Sequence, residues 1–95
     1  MKDLSIALLL DVYGELLNEK QRRIAKDYFY DDLSLSEISE NEGISRQGAH
    51  EAIKRSEQLL RFYEDKLHYH KTVTELKSAL DNNNFNEIRK IIEKL

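Results

Sequence analysis

Four side chains near the middle of the chain have the chemistry to recognise base edges in DNA. They are Arg46, Gln47, His50 and Lys54. Arginine and lysine donate to guanine, glutamine pairs with adenine, and all four side chains can also donate to phosphate oxygens. Their spacing places them on the outer side of one helix, so the pattern predicts a helix that reads the major groove.

A second set of side chains predicts contacts with the phosphate backbone. Lys20, Arg22 and Arg23 cluster in the first two turns of an earlier predicted helix, where the helix before a helix-turn-helix often meets phosphates. Ser45 and Arg55 flank the base-reading group. For the earlier cluster an alternative stays open, namely a solvated face in which the bases pair with acids nearby in the sequence. Those acids are Glu15, Glu19 and Asp27.

The turn that positions the base-reading helix is signalled by two serines and a glycine. Ser34 is followed three residues later by Glu37, a capping box that predicts a helix beginning at Leu35. Gly43 can adopt the left-handed conformation that ends this helix. Ser45 then caps the next helix. A capped helix, a glycine turn and a second capped helix predict a helix-turn-helix.

Apolar and small residues between the two helices support that arrangement. Ile38, Ile44 and Ile53 predict a small core, and Gly48 with Ala49 lets the helices cross closely. The less specific alternative is an ordinary αα-hairpin, because any such hairpin can end its first helix on glycine. The fold class predicted for the whole chain is all-α, a helix-turn-helix without a wing that has a long recognition helix and a C-terminal helical hairpin.

Two helices are predicted before the turn. The first runs from about Asp3 to Leu17, is apolar on most sides and breaks at Gly14, and we interpret it as a core helix in preference to a partner-binding helix. The second follows the cap Asn18, whose capping-box partner is Gln21. The aromatic residues near its end are interpreted as core, with base stacking as the alternative: Tyr28, Phe29 and Tyr30.

One long helix is predicted after the turn. Apolar or small residues recur at alternating steps of four and three, which is a heptad seam, and no stop signal precedes about Thr72. The projecting half of the seam can be buried only by the first helix, the tail or a second chain. The seam consists of Ala49, Ile53, Ser56, Leu60, Tyr63, Leu67 and His70. Two i,i+4 ion pairs are predicted on this helix, Glu51 with Arg55 and Glu57 with Arg61.

The chain is predicted to divide into a helix-turn-helix domain at residues 1–71 and a helical tail at residues 72–95. The tail splits at three asparagines, the last of which, Asn84, forms a capping box with Glu87. We expect the tail to fold back over the long helix or to pack on another subunit, and the apolar first helix and the seam predict a homodimer. The tail has two apolar edges, Val73, Leu76 and Leu80 on one and Phe85, Ile88, Ile92 and Leu95 on the other.

The 95-residue chain is acidic overall, with a net charge of −3, and the charge is unevenly distributed. Residues 27–42 carry six acids and no base, while residues 15–26 and 43–61 each carry a net charge of two positive. Because phosphate neutralisation supplies most non-specific affinity for nucleic acids, one subunit should bind them weakly. The chain has no cysteine, which excludes disulfides, thiol catalysis and cysteine-bound zinc and suits a reducing cytosol.

No arrangement of residues predicts catalysis, a cofactor or a metal site. The sequence has no glycine-rich phosphate loop and no serine with a plausible histidine partner. His68 and His70 point about 200° apart on a helix, so they cannot chelate one metal ion together. Asp31 and Asp32 are interpreted as a turn at a helix end. The apolar run at residues 6–10 is far shorter than the roughly 20 residues of a membrane span.

Several blocks of the sequence resemble a known family. They read LLDVYGELLNEKQR, then LSEIS, then GISRQGAHEAIKRSEQLL followed by YEDKL. Over roughly Leu8 to Leu67 the chain resembles the YlxM family of small bacterial proteins, and more distantly the DNA-binding fourth domain of sigma factors. The resemblance implies a cytoplasmic helical protein, often encoded beside components of the signal recognition particle, that takes part in that pathway or regulates it. The tail beyond Leu67 lies outside the resemblance.

Two classes of function remain open. The first is a DNA-binding regulator that uses the base-reading and phosphate-contacting residues named above. The second is an interaction module that engages the signal recognition particle protein or its RNA through its helical surface. The side chains of the base-reading helix favour the first class, whereas the overall acidity and the long seam favour the second.

Overall fold

The computed structural model describes residues 2–95, and its regular structure in that range is all helical. The predicted all-α class is therefore confirmed. A short 3-10 turn, Gly14–Leu16, joins the first two helices. The α-helices are α1 (Leu4–Tyr13), α2 (Glu19–Phe29), α3 (Leu35–Glu42), α4 (Arg46–Leu67), α5 (Tyr69–Asp81) and α6 (Phe85–Glu93).

Local capping explains where α2 and α3 begin. The backbone N–H of Gln21 donates to Asn18 Oδ1 at 2.8 Å, and the N–H of Asn18 donates to Gln21 Oε1 at 3.0 Å. Ser34 and Glu37 form the same reciprocal pair, with distances of 3.1 Å and 3.0 Å. Both predicted capping boxes are confirmed, since each satisfies two backbone donors that have no partner inside the helix.

The glycine turn between α3 and α4 also has the predicted geometry. Gly43 has φ 66° and ψ 34°, which is the left-handed conformation. Its N–H donates to the Ser39 carbonyl, which closes the end of α3. Ser45 then caps α4, with its Oγ accepting from the Gly48 N–H at 2.9 Å. Two consecutive local signals therefore set the angle at which α4 leaves α3.

Two connected cores hold the first four helices together. The first lies between α1, α2 and α4, and the second lies where α2, α3 and α4 meet. Fully burying one such aliphatic side chain contributes roughly 1.5–3 kcal/mol. The buried members of the first core are Ile6, Leu9, Leu10, Tyr13, Leu17, Ala25 and Leu60. Those of the second are Ile24, Ile38, Ala49 and Ile53.

The long helix ends earlier than predicted. α4 stops at Leu67, and His68 turns the chain with a left-handed φ of 52°, so the predicted continuation to Thr72 is wrong. The cause is the carboxylate of Glu64, which accepts from the backbone N–H groups of His70 at 3.1 Å and Lys71 at 3.0 Å. These contacts cap the first turn of a new helix in place of continuing the old one.

The seam of α4 is correspondingly shorter than predicted. Leu60 is fully buried, but Leu67 is 58% exposed. It is α1 that covers the second half of α4, through contacts that include the ring of Tyr13 against the ring of Tyr63, with centroids 6.1 Å apart. The first helix is thus a core helix on one side, while Leu4 and Leu8 on its other side stay exposed.

α5 and α6 form a hairpin that extends from the end of α4. α6 packs mainly against α5, and α5 touches α1 and α4, so the tail contacts the first four helices mainly through α5. Packing of the tail on a second subunit stays a prediction. The molecule is elongated, with extents of 53 × 23 × 16 Å and a radius of gyration of 16.6 Å, whereas a compact chain of this length has about 12 Å.

Two details of the hairpin differ from prediction. Asn84 Oδ1 accepts from the Glu87 N–H at 3.1 Å, but the N–H of Asn84 donates to the Ala79 carbonyl, so only half of the predicted capping box forms. The buried residues of the hairpin are Ala79 and Ile91, one position away from the predicted Leu80 and Ile92. The large side chains of Leu80, Phe85 and Ile92 are therefore exposed.

Candidate nucleic-acid interface

The first turns of α4 present the predicted base-reading side chains to solvent. Arg46, Gln47, His50 and Lys54 are all exposed. They lie opposite Ala49, which is 0% exposed and packs into the second core. A shallow groove beside the start of α3 is lined by Leu35, Arg46, Gln47 and His50. The structure therefore places the four side chains together on one open surface.

The basic side chains of this surface have no partner elsewhere in residues 2–95. Arg46, Lys54 and Arg55 make no side-chain hydrogen bond or ion pair in that range. The predicted pair of Glu51 with Arg55 is not formed, because Glu51 instead accepts from Gln47 Nε2 at 3.3 Å. Three cationic donors are thus available to an external anion.

The other predicted ion pair forms only weakly. Arg61 lies 4.0 Å from Glu57, and it lies closer, at 3.4 Å, to Asp3 in the cap of α1. The pKa of the Asp3 carboxyl is below its ordinary value, chiefly because the Ser5 hydroxyl and backbone N–H donate to it. Arg61 therefore holds α1 near α4 and stands apart from the base-reading surface. Exposed pairs of this kind contribute little to stability.

The predicted phosphate-contacting residues fall into two groups. Ser45 uses its Oγ as the acceptor in the α4 cap, which leaves its hydroxyl hydrogen free to donate. Lys20 is exposed and Arg22 is half-buried on α2, and neither makes an ion pair in the described range. Together with Arg55 these side chains keep their capacity to bind phosphate.

Arg23 differs from the rest of its cluster. Its guanidinium makes two hydrogen bonds of 2.7 Å to the carboxylate of Glu42 at the end of α3. This bidentate pair raises the pKa of Arg23 and lowers the pKa of Glu42. The solvated-face alternative therefore describes Arg23, although its partner comes from α3 and is none of the three acids predicted. The pair ties α2 to α3 and neutralises one of the expected cations.

Acids beside this pair make the flank of the interface negative. Burial raises the pKa of the Asp27 carboxyl, and the nearby carboxylates of Asp31 and Glu42 raise it further. A raised carboxyl pKa of this origin is the signature of crowded negative charge. These acids make this side of α2 less favourable for an anion than the side of α4 that carries the free cations.

The aromatic residues at the end of α2 are occupied inside the protein. The rings of Tyr28 and Phe29 meet edge to face with centroids 5.0 Å apart, and Lys2 Nζ lies 3.8 Å from the centre of the Tyr28 ring. The Tyr30 hydroxyl donates to Asp11, and burial and this contact raise its pKa. The core interpretation is confirmed for Tyr28 and Phe29, which pack against the second core, and is wrong for Tyr30, which is 43% exposed.

Sequence reasoning missed two positioning residues. Lys2 also donates to the Leu33 carbonyl and pairs with Asp32 at 3.4 Å, so it fastens the start of the chain to the loop before α3. No local pattern predicts that contact. Glu64 did carry a signal in the sequence. A carboxylate in the last turn of a helix is repelled by the negative end of the helix dipole, so its presence there suggests a contact with another element.

Other kinds of site find no support within residues 2–95. No group of three or more histidine, cysteine or acidic side chains there is placed to hold a metal ion. His68 lies in the turn between α4 and α5, and His70 follows in the first turn of α5. Across the same range, none of the helices combines the length and apolar character that crossing a bilayer requires.

The capped α3, the left-handed glycine and the exposed first turns of α4 together define a helix-turn-helix protein. The full chain, residues 1–95, matches the UPF0122 family model, described as "Putative helix-turn-helix protein, YlxM / p13 like". The chain therefore belongs to this family. The match confirms the resemblance to YlxM and extends it, since the tail beyond Leu67 is part of the match.

Similar proteins from several bacteria carry the same family name. A UPF0122 protein of Symbiobacterium thermophilum is 41% identical over 103 residues, covering 100% of this chain and 96% of that protein. One from Fusobacterium nucleatum is 43% identical over 97 residues, covering 95% and 91% respectively. One from Caldanaerobacter subterraneus is 55% identical over 64 residues, covering 67% of this chain and 55% of that protein.

Proposed function

We propose that this protein is a DNA-binding regulator with a binding role and no catalytic one, and that α4 is its recognition helix. One observation carries the proposal: Arg46 and Lys54 are exposed on the same side of α4, and Arg55 is exposed about 180° around the helix from Arg46, all three without any partner in residues 2–95. Unpaired cations beside a groove-sized helix are what contact with a nucleic acid requires. A cytoplasmic location belongs to the same proposal.

The side chains have two roles in this proposal. Base edges are read by Arg46, Gln47, His50 and Lys54, because these project from the helix surface that would enter the major groove. The phosphates on either side are contacted by Ser45, Arg55, Lys20 and Arg22. Arg23 contributes less than its neighbours, because Glu42 already neutralises it.

The number of cations predicts the salt dependence of binding. Three phosphate-contacting cations should give a slope of about −3 for the logarithm of affinity against the logarithm of salt concentration. With a net charge of −3 on the chain, one subunit should bind duplex DNA weakly without the right sequence. Selection of binding sites from a random duplex pool, followed by titration at two salt concentrations, measures both quantities.

Charge reversal on α4 is the decisive test of the proposal. Arg46→Glu or Lys54→Glu should abolish binding to the selected site, and Arg46→Ala should cost about 1–3 kcal/mol and relax the preference at one base position. Lys90→Glu on α6 is the matched control, since it makes the same charge change at an exposed position of the hairpin, away from α4. Equal losses in all three charge-reversed variants would contradict the proposal, because only net charge would then matter.

A second candidate function is an interaction module for the signal recognition particle. It is favoured by the acidic net charge and by the apolar side chains exposed on α5 and α6, and it takes its partner from the resemblance to YlxM proteins. The ligand would be the particle's protein or its RNA. The module should then bind with little change when Arg46 or Lys54 is reversed, and Leu67→Asp should weaken it.

Parallel titrations separate the two candidates. Duplex DNA, particle RNA and particle protein are each titrated at two salt concentrations with the parent and the α4 variants. Nucleic-acid complexes lose affinity steeply as salt rises, whereas an apolar protein contact does not. Absence of binding to all three ligands at micromolar protein would contradict both candidates.

A further inference from the structure

The hairpin of α5 and α6 carries a row of apolar side chains, four of them exposed and three half-buried. Phe85 is 68% exposed, Leu80 59% and Ile92 54%. Large apolar side chains in such numbers on one small element mark a contact surface, since single exposed ones are common but clusters are not. We call this surface the hairpin face, and its members are Tyr69, Val73, Leu76, Leu80, Phe85, Ile88 and Ile92.

Helical spacing places these residues on the same side of the hairpin. The two helices touch along Ala79 and Ile91, the buried residues of the hairpin. On one side of that line lie two shallow grooves between the helices, whose lining mixes polar residues such as Glu75, Ser78 and Asn82 with Leu67 and Leu95. The residues of the hairpin face recur at steps of three and four on the opposite side of the line. The hairpin is therefore of mixed polarity on one side and apolar on the other.

The chemistry of the hairpin face excludes several kinds of partner. It contains no cation, so it has nothing to offer a nucleic acid. Residues 73–95 carry four acids and four bases, so the hairpin has no net charge to draw it to an anionic lipid surface or to a strongly charged protein. A neutral surface is, however, compatible with a second copy of itself, although the whole chain is acidic.

We propose that the hairpin face of one subunit packs on the hairpin face of a second copy, which makes a four-helix bundle. Lys77 and Asp81 on α5, and Arg89 and Glu93 on α6, border the face at four-residue spacing. Both signs of charge are thus present on each border, so two copies can pair their borders without like charges dominating. The inference goes beyond DNA binding and does not depend on it.

The size of the face sets the strength of this dimer. α5 is 13 residues long, so the face extends about 20 Å along the helices and about 20 Å across them. Two such faces bury roughly 800 Å² before side-chain relief is counted, which is below the roughly 1,200–2,000 Å² of stable specific interfaces and in the range of weak, transient ones. The dimer should therefore dissociate in the micromolar range, in contrast to an obligate dimer.

The interface also differs from the one predicted from the sequence. That prediction used the apolar first helix and the seam of α4. α1 covers the seam as far as Tyr63 within the subunit, while Leu4 and Leu8 of α1 stay exposed. The surface proposed for pairing therefore lies on the hairpin. The periodicity of α4 could not predict it, because α4 is not part of the hairpin.

Equilibrium sedimentation from about 1 to about 200 µM tests the proposal. The parent should change from 11.2 kDa towards twice that mass as concentration rises. Leu80→Glu together with Phe85→Glu should stay at 11.2 kDa, with unchanged circular dichroism because both side chains are exposed in the subunit. The matched control, Ser78→Glu with Asn82→Glu on the opposite side of the hairpin, should dimerise like the parent.

A parent that remains at 11.2 kDa throughout would overturn the proposal, as would an apolar-side variant that dimerises as well as the parent. If that variant loses helix, a cross-linking measurement replaces it. The chain has no cysteine, so Lys77→Cys and Ser78→Cys give single labelling sites beside the face and on the opposite side of the hairpin. A short bis-maleimide should join two copies through position 77 in preference to position 78, and the reverse order would overturn the proposal.

Discussion

The four helices from α1 to α4 bury more of their large apolar side chains than the hairpin of α5 and α6 does, although Ile91 is buried in the hairpin and Leu4 and Phe62 are exposed in the body. In the four-helix body, Ile24, Ile38 and Leu60 are fully buried. In the hairpin the small Ala79 is buried while its neighbour Leu80 is 59% exposed. Helices of the hairpin's length are marginal in water without tertiary packing. The contrast teaches that the body supplies the stability of the chain, while the hairpin offers its apolar surface for contacts.

The largest expected effect comes from the same truncation in the two regions. Leu60→Ala should lower the free energy of unfolding by about 2–5 kcal/mol, because it leaves a cavity in the first core. Leu80→Ala should change it by no more than about 0.5 kcal/mol at concentrations where the protein is monomeric. Urea denaturation of both variants measures the difference. If both variants lost the same free energy of unfolding, the contrast between the two regions would be contradicted, because Leu80 would then be part of a core as Leu60 is.

The next effect concerns the contact that joins the two regions. The Tyr13 hydroxyl donates to Glu64 at 2.5 Å and accepts from the Tyr69 N–H at 3.2 Å. Tyr13→Phe removes a hydrogen bond to a charged group, which is worth about 1.5–3 kcal/mol. Amide hydrogen exchange should show faster opening in the first turn of α5 and little change in α3. Uniformly faster exchange would mean that the body and the hairpin open together.

The same contact predicts how the junction responds to acid. Burial acts to raise the pKa of the Glu64 carboxyl, but the Tyr13 hydroxyl and the N–H groups of His70 and Lys71 hold it below the ordinary value of 4.5. A lowered folded pKa stabilises the fold above the unfolded pKa, and the contribution is lost as the pH falls through the folded pKa. The first turn of α5 should therefore loosen below about pH 4.5. Glu64→Gln should remove most of this pH dependence when amide exchange is followed.

The smallest expected effect compares two left-handed turns. Gly43 ends α3 with φ 66°, and His68 ends α4 with φ 52°. Gly43→Ala should destabilise the fold by about 1–2 kcal/mol. No neighbouring atom lies close to the added Cβ, so the whole cost comes from the left-handed backbone conformation, which alanine disfavours. His68→Gly should stabilise by about 0.5–1 kcal/mol, because relief of the left-handed conformation exceeds the added entropy of the unfolded chain. Thermal melts measure both, and a destabilised His68→Gly would show that the imidazole makes a contact of its own.

Local signals predicted the body well because its elements are set by residues close in sequence. The boxes at Asn18 and Ser34 and the turn at Gly43 each depend on neighbours within four residues. The end of α4 has a weaker local signal, the carboxylate of Glu64, which accepts from the N–H groups of His70 and Lys71 six and seven positions on. Tyr13 also donates to this carboxylate from 51 positions away, and that contact exists only after α1 has packed.

The candidate site shows the same division. The exposure of Arg46, Gln47, His50 and Lys54 follows from the spacing of the residues that α4 buries. The pairing of Arg23 with Glu42 follows from the angle between α2 and α3, and the spacing of residues in the sequence does not predict that angle. In the hairpin, periodicity fits burial of Leu80 as well as burial of Ala79, and only the position of the other helix decides between them.

His68 is the single left-handed residue between α4 and α5, so the whole hairpin turns when the backbone angles of His68 change. Rotation by about 10° at His68 displaces the far end of α5, some 20 Å away, by about 3 Å. The carboxylate of Glu64 holds the hairpin at one angle to α4, because it accepts hydrogen bonds from the first turn of α5. In a dimer joined through the two hairpins, that angle would fix the distance between the two copies of α4. The carboxylate of Glu64 would thus set the spacing of the DNA half-sites that such a pair of subunits can contact.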